Sequence, residues 1–329
     1  MRPRVVGALT AVLAAVSLVW LSPRLTAGAG PWTVPHTPDG QPDFRGYWTN
    51  ATFTPLERPA ELAGKEFMTP AEAAEYEKKR QIQEESQAKD DIHYDNVIWQ
   101  QESYRKVVAR LRTSIVVDPP DGKLPPLTAL GQQRAAARAE AARTGPSDSA
   151  QSRSLGERCI SWGNEGPPML GSTYQANLQF MQTKNAFVIR HEIMNGVRIV
   201  PIDGTPHLPN NVRLLHGDSR GRWDRDTLVI ETTNFTDATP FRGPPATARQ
   251  DIQSSRDLRV LERFTRTDAD SILYQFTIED LSTWTKPWSG EMVMRKWEGP
   301  IFEYACHEGN YGLANILSAA RVQERTSGQ

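Results

Sequence analysis

Between residues 174 and 306, short runs of alternating apolar and polar residues recur, separated by turn-forming pairs. Alternation with period two puts one set of side chains on each face of a strand. It predicts strands over 177–183, 186–194, 197–203, 213–217, 226–234, 257–267, 271–279, 290–297 and 301–306. Asn195-Gly196 sits between FVIRHEI and VRIVPI, and both residues tolerate the positive φ of a type I′ hairpin turn. Short strands joined mostly by tight turns suit a closed or nearly closed antiparallel barrel, because closure removes the edges that a long open meander exposes. A β-sandwich is the rival fold, but it needs crossover connections, and only 236–256 is long enough for one.

Helical patterns flank this region. Residues 31–59 are dense in proline and aromatics, which disfavours helix and central strand and predicts an extended arm tacked to the body by Phe44, Tyr47, Trp48 and Phe53. Thr69-Pro70 then opens a helix of about five turns, with threonine as N-cap and proline in the first turn, held by a narrow stripe that includes Tyr76 and Ile82. SIVVDPPDGKLPPL reads as turns around an edge strand, and 128–143 as a second helix. A final helix from Tyr311 carries Leu313, Ile316, Leu317 and Ala320 on one face, which predicts packing against the barrel. The expected organisation is a leader over 1–29, an arm and helical segment over 30–156, and a barrel with a C-terminal helix over 157–329.

That leader has Arg2 and Arg4, an apolar run from Val5 to Leu21, and Ala27-Gly28-Ala29, the three parts of a secretory signal peptide. The alternative is an uncleaved anchor, the one expected link to a membrane; either way the body is exported, to the periplasm or beyond. A net charge of −1 offers no basic field for nucleic acid. The two cysteines, Cys159 and Cys306, are expected to pair in an oxidising compartment.

The segments PDFRGYWTN (42–50), HGDSRGRWDRDTLVIETTNF (216–235), RFTRTDADSILYQFTIEDLSTWTKPW (263–288) and EYACHEGNY (303–311) resemble an uncharacterised family of exported bacterial proteins. The resemblance covers most of the mature chain and implies no mechanism. More loosely, the meander is similar to lipocalin-like barrels, an analogy of fold that implies a cavity and no chemistry.

Candidate chemistry gathers in three places. A Cys159–Cys306 bridge would bring His307 and Glu308 towards Arg158 and Trp162, forming either an acid–base site at the barrel mouth or a structural cap and ion pair for the last helix, near Tyr311. His191 shares its strand face with Phe187 and Ile189, and Glu262 with Val260 and Phe264, so both point inward; Glu262 then needs a partner, such as Arg295 or a group on the strand beside Arg263. Trp284 and Trp288 form either a stacking wall for a ligand or a plug. His191, His207 and His216 lack H-x-H or HExxH spacing, so no metal is expected, and no motif calls for an organic cofactor. The absence of G-x-S-x-G argues against a hydrolase elbow.

The expected function is an exported protein that binds an apolar or aromatic small molecule in its barrel, with Trp162, Trp284, Trp288, His191, Glu262 and Tyr311 as contacts. Two alternatives stand beside it. One is a cofactor-independent lyase, isomerase or hydrolase using His307, Glu308 and Arg158; the other is an envelope assembly component that binds a partner through the arm.

Overall fold

The computed structural model describes residues 32–85, 109–145, 147–171, 176–238, 240–242, 251–253 and 255–327. The expected leader lies outside them. The described residues from Thr33 onward fall in one compact unit. Among the described residues, no helix is long and apolar enough to cross a membrane.

The fold is mainly β. Its strands are β1 (Gly46–Thr49), β2 (Val116–Asp118), β3 (Asn177–Gln182), β4 (Ala186–His191), β5 (Val197–Pro201), β6 (Asp218–Asp224), β7 (Thr227–Thr233), β8 (Pro240–Arg242), β9 (Asp251–Gln253), β10 (Arg259–Arg266), β11 (Ser271–Glu279) and β12 (Trp288–Lys296). The main sheet runs β5-β4-β3-β1-β12-β11-β10-β7-β6, with β2 added on β12, and every ladder in it is antiparallel. β8 and β9 form a separate hairpin.

This sheet curls into a nearly closed barrel. Successive antiparallel ladders reverse direction at each step, and an odd number of strands along the path leaves β5 and β6 running the same way. They meet side by side without the antiparallel ladder that joins every other pair. The seam is tight: a Cβ on Gly221 of β6 would lie 2.6 Å from Ile202 and 3.1 Å from Val200, so a larger residue there must displace them.

Four sequence expectations change. The arm is no surface strap: its Gly46–Thr49 is a stave of the barrel between β3 and β12, with Trp48 buried and its indole N–H donating to the Phe44 carbonyl at 2.9 Å. Residues 213–217 make only an isolated parallel bridge, Leu214 to Phe235, and the strand starts later, at Asp218. Residues 301–306 form no strand, because the chain turns away from β12 through Gly299-Pro300 and leaves Phe302 exposed. The β4–β5 hairpin exists, but its positive φ values fall on Met194 and Asn195 rather than on Asn195 and Gly196.

The helices are α1 (Pro70–Glu85), α2 (Ala129–Thr144) and α3 (Tyr311–Ser327). α1 opens with a capping box: the Thr69 backbone N–H donates to the Glu72 carboxylate at 2.8 Å, and the Glu72 N–H donates to Thr69 Oγ1 at 3.3 Å. Ala73 and Tyr76 seat it against Phe53 and Met68, whereas Ile82 is exposed, contrary to expectation. Thr128 caps α2 by accepting from the Gly131 N–H at 3.0 Å. On α3, Leu313, Ile316, Leu317 and Ala320 are half-buried as their spacing predicts, and none is fully buried. Arg321 ties this helix to the loop before residue 150 by donating to the Ser147 and Asp148 carbonyls.

Candidate functional site

Alternation along the staves sorts the barrel interior into two parts. Towards the start of β11 and the end of β6, the inward side chains are apolar: Phe180, Phe187, Val200, Leu228, Phe264 and Ile272 pack together, with Phe44 5.8 Å from the Trp223 ring. Towards the end of β4 and the start of β5 and β6, polar groups project inward instead. They are His191, Arg198, Ser219, Thr232, Glu262 and Tyr274, with the half-buried His216 just before β6.

Arg198 and Glu262 form the centre of this polar part. Arg198 Nη1 donates to Glu262 Oε2 at 2.8 Å and Nη2 to Oε1 at 3.0 Å. The Tyr274 hydroxyl donates to Glu262 Oε1 at 2.8 Å, and burial raises its pKa well above the ordinary value. Both carboxylate oxygens are therefore engaged. Arg198 Nε is buried with no hydrogen-bond partner among the described residues.

A loop closes this end of the barrel. Residues 163–171 are buried throughout, which is unusual for a connection because its backbone must then find partners inside. The Met169 N–H donates to the Tyr274 hydroxyl at 2.8 Å, so the loop reaches the middle of the barrel. The Glu165 carboxylate holds the loop's own turn, accepting from the Trp162 N–H at 2.9 Å, the Gly163 N–H at 2.7 Å and the Ser161 hydroxyl at 3.2 Å. Asn164 Oδ1 is buried and unpartnered among the described residues.

Two imidazoles lie beside this loop. Glu165 and His191 flank Gly196 on β5's approach, and His216 Nδ1 lies 3.1 Å from the Gly166 carbonyl. A carbonyl only accepts, so Nδ1 carries the proton and, in the neutral ring, Nε2 presents a lone pair. Desolvation, reinforced by Arg198 and His216, pushes the His191 pKa down to about 3; desolvation also lowers that of His216. Both rings are neutral near physiological pH. The described residues contain no group of three or more His, Cys, Asp or Glu side chains able to hold a metal ion.

The predicted residues divide sharply. His191 and Glu262 do face inward and belong to one interior; Tyr274, on the β11 strand beside Arg263, is one partner of Glu262 as expected, and the cation is Arg198 rather than Arg295. Cys159 and Cys306 are joined, with Cα atoms 5.7 Å apart. His307 and Glu308 beside the bridge are exposed, and no ion pair joins Arg158 to Glu308 among the described residues. Nor does either cap α3, since Asn310 Oδ1 accepts the Leu313 N–H at 3.3 Å. Trp284 and Trp288 are a plug, buried edge to face with centroids 5.8 Å apart, which leaves no indole face for a ligand. Trp162 is half-buried, its indole N–H donating to the Tyr304 hydroxyl at 3.1 Å, and Tyr311 is 76 % exposed.

Arg198, Tyr274 and Glu165 escaped the sequence analysis as site residues, and His216 entered it only as a candidate metal ligand. For two of them a signal existed: Arg198 alternates with Val200 in VRIVP, and Tyr274 with Ile272 and Phe276, so both belong to inward sets. His216 lies outside any strand and carried no such signal. Comparison with protein-family models, with curated proteins and with solved structures finds no match for this chain.

Proposed function

We propose that this chain is an exported small-molecule protein whose ligand site is the polar end of the barrel interior, where Arg198, His191 and His216 meet the 163–171 loop. The observation that carries this reading is the buried Arg198–Glu262 pair with an unused Nε–H beside two neutral imidazoles. A purely structural ion pair is weak evidence for stability, because its desolvation cost offsets most of its Coulomb gain. Convergent polar groups in an apolar enclosure are what a small-molecule site requires. The Cys159–Cys306 disulfide fits a non-cytoplasmic location, and the apolar leader supports the periplasm or the medium as the destination.

The test is to purify the mature protein from its native host, denature it and identify released small molecules by mass spectrometry. One organic compound per chain, lost when His191 and His216 are replaced by alanine in a folded variant, is the expected result. A compound retained by that variant would sink the assignment to this end of the barrel.

Acid–base catalysis is the second reading, favoured by the His216 Nε2 lone pair that the Gly166 carbonyl orients. It predicts that His216→Ala abolishes turnover of the released compound while leaving its binding intact.

A further inference from the structure

Resting on the reading of the polar end as the ligand site, we infer that its ligand is uncharged there and carries a hydroxyl or amide group, which accepts a hydrogen bond from Arg198 Nε–H and donates one to His216 Nε2. The inference follows from which charges are already matched. The Arg198 guanidinium spends Nη1 and Nη2 on the two oxygens of Glu262, so the pair is neutral as a unit. The Glu165 carboxylate is taken up by three donors of its own loop. Glu192, next along the chain from His191, accepts from Asn177 Nδ2 at 2.6 Å. No uncommitted cation faces this interior among the described residues, so a buried carboxylate or phosphate would arrive without a counter-charge. An unpaired charge in such a place costs several kcal/mol in effective desolvation.

A cation fares no better. The acceptors left free are an imidazole lone pair on His216 and the amide oxygen of Asn164, both neutral; the Arg198 charge opposes an arriving ammonium, and the Glu165 carboxylate near His216 already accepts from three donors of its own loop. The depressed histidine pKa values point the same way, since desolvation and the Arg198 charge already disfavour a proton on His191. What remains among the described residues includes the Arg198 Nε–H donor and neutral acceptors, with the neutral His191 ring adding one N–H and one lone pair. A group that both accepts and donates answers them together, and hydroxyls and amides are such groups. A site built to hydrogen-bond a hydroxyl or amide also rejects an analogue that lacks it, because its own polar atoms are then left unpaired.

Four aryl probes of nearly equal size separate the alternatives on the wild-type protein: benzyl alcohol, benzamide, benzoate and benzylammonium. Each is titrated at neutral pH while the imidazole nitrogen shifts of His191 and His216 are followed by NMR. The expected result is that the two neutral probes move the His216 signals and bind at least about tenfold more tightly than either charged one. If benzoate or benzylammonium moves those signals at equal or lower concentration, the charge rule is overturned and the site itself stands. If no probe moves them, or probes bind elsewhere, the reading of the polar end as a ligand site falls, and this inference with it.

Discussion

Arg198 on β5 and Glu262 on β10 meet across the barrel interior in a two-pronged ion pair, although 64 residues separate them in the chain. Neither strand neighbours the other in the sheet. The pair therefore ties together opposite walls of the barrel close to the unladdered β5–β6 seam.

Breaking that pair on one side leaves a buried charge uncompensated. Glu262→Ala should lower the unfolding free energy by about 3–5 kcal/mol, and Arg198→Met by a similar amount. The double variant Arg198→Met/Glu262→Leu should be less destabilised than the sum of the single changes. Urea denaturation of all four proteins measures this coupling, and strict additivity would show that the two groups do not interact.

Acid should weaken the fold through His191. In the unfolded chain this residue takes up a proton below its ordinary 6.5, whereas in the fold it does so only near about 3. Between those values the unfolded state holds more protons, so stability rises with pH there and is lost as pH falls. The slope is about 1.4 kcal/mol per pH unit for one such histidine. His216, also lowered, acts in the same direction. A folded His191→Leu variant should show an acid limb shallower by about one proton's worth; an unchanged slope across that interval would mean that His191 is not buried as a neutral ring.

Loss of the disulfide should loosen the last helix first. Cys159 and Cys306 lie 147 residues apart in sequence, and α3 buries no side chain fully. Its other anchors are polar: Asn310 Nδ2 donates to the Glu157 carbonyl at 2.8 Å, and Arg321 reaches Ser147 and Asp148. The chain-entropy model assigns such a long closure roughly 5 kcal/mol, an upper figure. Paired Cys159→Ser and Cys306→Ser changes should lower the denaturation midpoint, and limited proteolysis should cut within α3 before the barrel. Equal cleavage rates in both proteins would count against this.

The tryptophans and the exposed histidine should behave oppositely to a ligand wall and a catalytic base. Trp288→Ala removes a side chain at 0 % exposure that packs edge to face on Phe276, and should cost about 3–5 kcal/mol of stability. His307→Ala, on an exposed turn, should change stability by no more than about 0.5 kcal/mol. Comparing their thermal and urea midpoints decides the matter; a large loss at His307 with none at Trp288 would contradict the burial described here.

Local pattern alone determined the meander, the cap at Thr69, the face of α3 and the inward direction of His191 and Glu262, because side-chain direction follows from backbone periodicity over a few residues. The cysteine pairing was also legible, since only two were present. Periodicity is silent on which distant strands meet. That β1 is a stave and not an arm, that Arg198 answers Glu262, that His216 is oriented by Gly166, and that Trp284 and Trp288 fill the core were decided by tertiary structure. Each depends on long-range closure of the barrel, where a buried charge or donor accepts whichever partner the curled sheet brings within reach.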